Sequence, residues 1–495
     1  MIFERPSLAV FCFVLTVCAT ADAWEPETTH PGFTEKAAID SSLHGALVDK
    51  FGLSDGLFST LEISPEITPA LYKALRQFSP SHGYSPSAKG RMSALGWLMA
   101  GSAIADLPGQ NAANHFFAPT TKKGLSTQTL RGLGTNAELK WLETISADSL
   151  NRKGLSAIDW VQSKDNPFGL LTFREQYVSA VRAELPKDRQ RHLASALLAA
   201  GSILHVLQDL GSPSHVRNDL AAHLQPLGGG RNDRGSRHER IAALAYGRLG
   251  ISGIKSSNIT KIKRDTVRDF FSTEAGNGLA DITASAWFSI GTVPSPIDIQ
   301  SNESTLNERL RLGAKRKAPG PSAWFDEEAS MVTDDEGRCL ANAIAVDGKF
   351  EFYIDDNCYL EQLRWQIPVI IGFNTGLLEM LFNPGLNLKM DGALLAVRGT
   401  GAEFGDGLVT IFWDDKEGKR TPLFRAPTSK ENTRLLYRDL KSIPQEAVRV
   451  SALFEGTNHR GDSLVATGTL DLTEKISPVD LGETPPPELP PEASP

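Results

Sequence analysis

Residues 186–219 read PKDRQRHLASALLAAGSILHVLQDLGSPSHVRND. After the breaker Pro186, Leu193, Ala196, Leu197, Ala200, Ile203, Leu204 and Leu207 make an apolar surface nearly all the way round a helix, so this helix belongs in the middle of a bundle. Its end carries polar residues. Residues four apart share a helix face, and the imidazole of His205 and the carboxylate of Asp209 therefore converge. A buried carboxylate is costly unless paired or metal-bound. Gly211-Ser212-Pro213 ends the helix and turns the chain, bringing His215 back to the same place from a loop. An isolated H-x-x-x-D is more simply an Asp–His hydrogen bond with no metal. Here it has company: Asp106-Leu107-Pro108 and Asn114-His115-Phe116-Phe117-Ala118-Pro119 follow another helix, and Thr29-His30-Pro31 adds a further imidazole.

Working outward, apolar residues recur at helical spacing from Trp24 to about Pro384. The run from Leu360 to Phe382 closes that region, with a kink expected at Pro368. Beyond it the texture changes to short β-rich segments at 392–398, 408–413, 447–454 and 464–472, separated by Gly, Asp and Asn clusters, as in a small antiparallel β-sandwich. The expected organisation is a signal peptide at 1–23, a multi-helix domain at 24–384, a β-sandwich at 385–475 and a disordered Pro-rich acidic tail at 476–495; the fold class is mainly α. With 41% hydrophobic and 22% charged residues the chain is not disordered throughout, and a net charge of -8 disfavours capture of nucleic acid or anionic membrane by overall charge.

Arg5, the apolar run Leu8 to Val17 and Ala21-Asp22-Ala23 read as an export signal cut after Ala23, which makes Trp24 the first residue of an extracellular or periplasmic protein. No other segment is apolar over the length a bilayer requires, so no transmembrane helix is expected. Cys12 and Cys18 lie in the signal. Cys339 and Cys358 remain, flanking a hairpin that turns at Asp347-Gly348; a disulfide stapling its ends is expected, two free buried thiols being the alternative.

Taken together, these motifs resemble the zinc-dependent phospholipase C family, whose helical fold is shared with single-strand-specific zinc nucleases. The resemblance covers most of residues 24–382 and implies three zinc ions. The family pattern places Trp24, through its free amine and carbonyl oxygen, with His30 and Asp209 on one ion. It places Asp106, His115, His205 and again Asp209 on a second, with Asp209 as the bridge. A third is expected on His215, a further His and a Glu spaced H-x-x-x-E. Glu239 supplies the acid, but Gly235 stands where that His is expected. Neighbouring helical residues point about 100° apart, so His238 does not readily share an ion with Glu239. His223 is the expected substitute, with a two-ligand or empty third site as the alternative.

Two zinc ions bridged by Asp209 would bind phosphate oxygens, activate a water and stabilise the attacking and leaving oxygens of a phosphodiester. Asp106 would orient or deprotonate that water, as the resemblance implies. Manganese and iron accept the same donors. Arg217 is a candidate phosphate clamp, an ordinary salt bridge being its other reading. The resemblance favours a phospholipid substrate, with peripheral membrane contact through the β domain. Single-strand-specific nuclease is the alternative, using the basic stretch Arg231, Arg234 and Arg237. A metal-stabilised binding protein is the second alternative. His44, His82, His192 and His459 lack a neighbouring ligand pattern.

Overall fold

The residue pattern after Pro186 does form one 24-residue helix, Pro186–Asp209, and its seven apolar residues named above are all buried. The computed structural model describes residues 27–63, 69–78, 83–107, 111–125, 154–226, 234–294, 297–298, 324–326, 331–334, 336–391, 394–428, 434–439 and 443–472. The signal segment, Trp24, His82, Arg231 and the Pro-rich tail lie outside the described residues. Two compact units divide the chain, one comprising Met1–Ala180 with Arg189–Asn383, the other Val181–Asp188 with Pro384–Pro495.

The helices that position the candidate site are α1 (Thr29–Asp40), α2 (Ala94–Ile104), α3 (Pro186–Asp209), α4 (Pro213–Val216), α5 (Leu220–His223), α6 (Arg237–Tyr246) and α7 (Asp356–Phe382), all in the first unit but for the opening residues of α3. Pro186 stands at the first position of α3, where a missing N–H costs nothing. Ser93 caps α2 by accepting from the Gly96 amide. The crossing of α2 and α3 depends on two glycines. A Cβ on Gly101 would lie 1.9 Å from the Leu198 carbonyl oxygen, and one on Gly201 would lie 1.9 Å from that of Leu98. The two backbones therefore touch, an approach only glycine permits, and the end of α2 is drawn against the polar end of α3.

Helix α7 is capped by Asp355, whose side chain accepts from the Cys358 amide, and it runs through Pro368 as one element. Among the described residues it alone is long and apolar enough to cross a membrane, and most of it is buried inside the protein. This is the pattern of a core helix.

The region up to Asn383 is less purely helical than its spacing suggested. Strands β1 (Ile297–Asp298), β2 (Trp324–Asp326), β3 (Met331–Thr333), β4 (Cys339–Val346) and β5 (Lys349–Tyr353) form an antiparallel sheet in the order β1-β5-β4-β3-β2. Strands of two or three residues are too short to show an alternating pattern. The β4–β5 turn is the one expected: Asp347 and Gly348 have φ of 48° and 77°, the left-handed pair a two-residue hairpin needs. Cys339 and Cys358 are joined, with Cα atoms 5.3 Å apart. Because Cys358 lies in the first turn of α7, the bridge ties the hairpin to that helix and does not close the hairpin's own ends.

The second unit is a seven-stranded sheet of β6 (Gly385–Asp391), β7 (Leu394–Thr400), β8 (Phe404–Asp414), β9 (Arg420–Thr428), β10 (Arg434–Asp439), β11 (Arg449–Asn458) and β12 (Ser463–Asp471), in the order β9-β8-β11-β12-β6-β7-β10. Its neighbours run antiparallel except β6 and β12, which meet in parallel at Gly385 and Thr467. Leu386, Leu388, Leu395, Val397, Val409, Ile411, Val450, Ala452, Phe454 and Ala466 gather in one core, each drawn from the inward face of its strand. Strand β9 carries Pro422 and Pro427 and lies at an edge, where a missing donor is tolerated.

Candidate metal centre

Helix α1 begins one residue before His30, so His30 enters the core at the helix's first turn. The close crossing of α2 and α3 places Asp106, just beyond α2, opposite His205 and Asp209 in the last two turns of α3. His115 arrives from the turn after Asn111–Asn114. All five side chains are buried. His30 Nε2 lies 3.4 Å from Asp209 Oδ1, and His205 Nε2 lies 3.3 Å from Asp209 Oδ2 and 3.4 Å from Asp106 Oδ2. His115 Nδ1 stands 2.8 Å from Asp209 Oδ2 and 3.2 Å from Asp106 Oδ1. The His30 and His205 rings stack with centroids 3.6 Å apart. These residues form two overlapping groups, His30-His205-Asp209 and Asp106-His115-His205, each with ligand atoms near enough to share an ion.

A third group is His215, His223 and Glu239. Here the carriers are short. His215 lies in the one-turn helix α4, where the sequence suggested a loop, and His223 ends the four-residue α5. Glu239 lies in the first turn of α6, whose Ser236 cap accepts from the Glu239 amide. Glu239 Oε1 is 3.8 Å from His215 Nε2, and Oε2 is 3.7 Å from His223 Nδ1. Ser212 donates to Glu239 Oε1 at 2.8 Å, and Phe116 stacks on the His215 ring at 4.3 Å while its edge meets His223 at 5.4 Å.

The imidazoles are held from behind. His205 Nδ1 donates to the Ser102 carbonyl at 2.6 Å, His215 Nδ1 to the His115 carbonyl at 3.0 Å, and His30 Nδ1 to Gln208 Oε1 at 2.6 Å. Each ring therefore turns its Nε2 lone pair into the cluster, the orientation a metal ligand requires. His30 Nε2, His205 Nε2, His215 Nε2, both Asp106 oxygens, Asp209 Oδ1 and Glu239 Oε2 are buried without a hydrogen bond of good geometry. Leaving such atoms unsatisfied costs about 1–3 kcal/mol each, more for charged ones. Donors about 2.0–2.2 Å from a tetrahedral ion are separated by roughly 3.3–3.6 Å, close to the 3.2 to 3.4 Å of the spacings found around Asp106 and Asp209 apart from His115 Nδ1 to Asp209 Oδ2, whose 2.8 Å is that of a hydrogen bond. The donor set fits a divalent cation.

Electrostatics agrees with that fit. Burial acts to raise Asp106 and Asp209, but the charge of His205 and hydrogen bonds from the surrounding imidazoles outweigh it and hold both below the usual carboxylate range. Burial acts to lower His115 and His205, yet the two carboxylates raise both. His215 is pushed down to about 3, chiefly by burial, and His30 is lowered by burial and by neighbouring His205. Burial, with Asp209 and Asp106 nearby, pushes Glu239 well up. Positive charge thus gathers on the imidazoles around Asp106 and Asp209, a place that a bound cation would take over.

Two other candidate residues are placed differently. The guanidinium of Arg217 donates to the Trp287 carbonyl at 2.8 Å and the Ala284 carbonyl at 2.7 Å and lies over the Phe288 ring, so it braces a helix end where the sequence suggested a phosphate clamp. His238 Nε2 donates to Gln366 Oε1 at 2.8 Å on α7, turned from the ion-binding side of Glu239 as the helical spacing required. His192 meets Gln176, and His459 meets Glu403 at the surface. Arg237 of the basic stretch donates to both oxygens of Asp356. Sequence reasoning passed over Ser212 and Gln208. The signal for Gln208 was present: an amide in an otherwise apolar helix, three residues after His205.

No protein-family model matches the chain, and no curated protein matches it. Among solved structures it is similar to the alpha toxin of Clostridium absonum, at 13% identity and a TM-score of 0.28, over 91% of this chain and 99% of that one. The alpha-toxin of Clostridium perfringens from avian strain SWCP is similar at 12% identity and a TM-score of 0.22, over 90% of this chain and 99% of the other. Scores this low leave the chain's own residues to carry the functional reading.

Proposed function

We propose that this chain is an exported, zinc-dependent phosphodiester hydrolase of the phospholipase C type. The observation that carries the reading is Asp209: a fully buried carboxylate within reach of His30, His115 and His205, the last of which belongs to both overlapping ligand groups. His30 and Asp209, with the Trp24 terminus, would hold one zinc; Asp106, His115, His205 and Asp209 a second; His215, His223 and Glu239 a third. When bound, such ions supply positive charge for phosphate oxygens and lower the pKa of a water towards neutrality.

The chain's own residues do the rest. Asp106, held ionised, accepts the proton of the attacking water at a carboxylate oxygen. Ser102, Gln208 and the His115 carbonyl fix the imidazoles. Phe116, packed on His215 and His223, keeps solvent from the third group. Phospholipid is the proposed substrate, with the β domain meeting the membrane surface. The test is hydrolysis of a phosphocholine ester and of single-stranded DNA by the secreted protein, with and without chelator, together with its intact mass and metal content. Chelator-sensitive cleavage of the ester, a mass beginning at Trp24 and three zinc ions are expected. Cleavage of DNA alone replaces this reading with the nuclease, and cleavage of neither with a metal-stabilised binding protein.

A further inference from the structure

His205 and His215 are oriented by backbone carbonyls, but His30 is oriented by a side-chain amide, and that amide is itself set by another. The order of donors runs one way. The Ile370 carbonyl on α7 can only accept, and Asn374 Nδ2 donates to it at 2.7 Å. Asn374 therefore presents Oδ1 as an acceptor, and Gln208 Nε2 lies 3.5 Å from it and donates to Thr34 Oγ1 at 3.0 Å. With its nitrogen so committed, Gln208 turns Oε1 to His30 Nδ1 at 2.6 Å. Asn374, Gln208, Thr34 and His30 are all completely buried, out of reach of bulk solvent. Thr34 stands four residues after His30, on the same face of α1.

From this order we infer that Asn374 and Gln208 are positioning residues that lock His30 in its Nδ1–H form and thereby set the affinity of the ion bound by His30 and Asp209. The inference rests on the metal-centre reading for its second half only; the tautomer follows from the hydrogen bonds alone. A neutral imidazole has one lone pair, and if its proton were on Nε2 it would offer Asp209 and any cation a hydrogen instead. Outer-shell partners of a ligating His change metal affinity by about 10- to 100-fold.

Nitrogen chemical shifts of His30 in the full-length protein, recorded zinc-loaded and after chelation, read the tautomer directly and need no substitution. Nδ1–H in both states is expected; Nε2–H after chelation overturns the inference. Zinc titration against a competing chelator then compares wild type with Gln208→Met and Gln208→Glu. The Met variant, which lacks an acceptor, is expected to bind one ion about 10- to 100-fold more weakly and the others unchanged, while the Glu variant, which keeps one, retains its affinity. Equal affinity in wild type and Met variant overturns the inference and leaves the metal centre standing. Should the Met variant fail to fold, Asn374→Leu serves: it is expected to give His30 a mixture of tautomers after chelation, and a single Nδ1–H form would overturn the role of Asn374. A wild-type chain that takes up no zinc but shows Nδ1–H at His30 removes the metal centre and keeps the relay.

Discussion

The Asp209 groups and the Glu239 group use the same chemistry, imidazole and carboxylate in a dry interior, but they are mounted differently. Around Asp209, His30, His205 and Asp209 itself stand on helices of 12 and 24 residues, with Asp106 just beyond α2 and His115 on the turn after Asn111–Asn114, and the spacings run from 2.8 to 3.4 Å. Around Glu239 the donors come from two four-residue helices and one helix start, and the spacings are 3.7 and 3.8 Å. The glycine contact of α2 with α3 brings backbone against backbone, whereas the glycines beside α4 and α5 among the described residues, Gly211 and Gly291, meet the side chains of Ile370 and Asp219. A helix of one turn makes few hydrogen bonds of its own and takes its geometry from its neighbours. Ser212, Phe116 and Arg217 supply that geometry. The same ligand types thus sit on a rigid frame in one place and a braced one in the other.

The comparison breaks most decisively at Asp209. Replacing it with Ala is expected to remove both ions of the paired groups and leave the third, so zinc content falls from three to one per chain under the proposed loading. Ester hydrolysis should fall by more than the roughly 100-fold that outer-shell changes produce. Metal analysis and kcat/KM measure both; loss of all three ions would show that the groups form one cooperative unit. Next in size is Glu239→Gln, which should cost one ion and about 10- to 100-fold in kcat/KM, the scale of a perturbed ligand shell. Retention of three ions would mean that His215 and His223 suffice.

Gly201→Ala tests the frame. The added methyl meets a backbone oxygen, which no side-chain rotation can move aside, so the helices must separate. Overpacking of this kind costs about 1–3 kcal/mol, seen as a lowered Tm, and the paired groups should release zinc to a chelator faster while the third is unaffected. Equal acceleration at all sites would mean the crossing supports the whole centre.

How much of this was legible beforehand depended on the length of the signal. The 24-residue α3 repeats its apolar face often enough to be read, and spacing alone puts His205 beside Asp209. His223 was reached by excluding His238 on helical geometry, and the structure brings it to Glu239. Strands β1, β2 and β3, two or three residues each, leave no periodic trace, and β9 was obscured by its prolines. The parallel meeting of β6 with β12 joins segments some eighty residues apart, which no local pattern reports. The partners of Arg217, Ala284 and Trp287, are likewise distant in sequence, so spacing alone left its clamp and salt-bridge readings both open.

Arg217→Lys gives the smallest expected effect and the finest distinction between the two mountings. The planar guanidinium reaches two carbonyls at once from the end of α4, and although burial pulls its pKa to about 10 it stays charged at neutral pH. An ammonium keeps the charge but lacks the fork, so one carbonyl at the end of the Leu279–Ala286 helix loses its donor. The cost should be about 1–2 kcal/mol, read as a modest drop in Tm, with KM for the ester unchanged and zinc leaving only the His215 group faster. Under the phosphate-clamp role the pattern inverts, since a lysine would leave Tm alone and raise KM. The pair of measurements therefore decides whether the residue serves the substrate or the turn that carries His215.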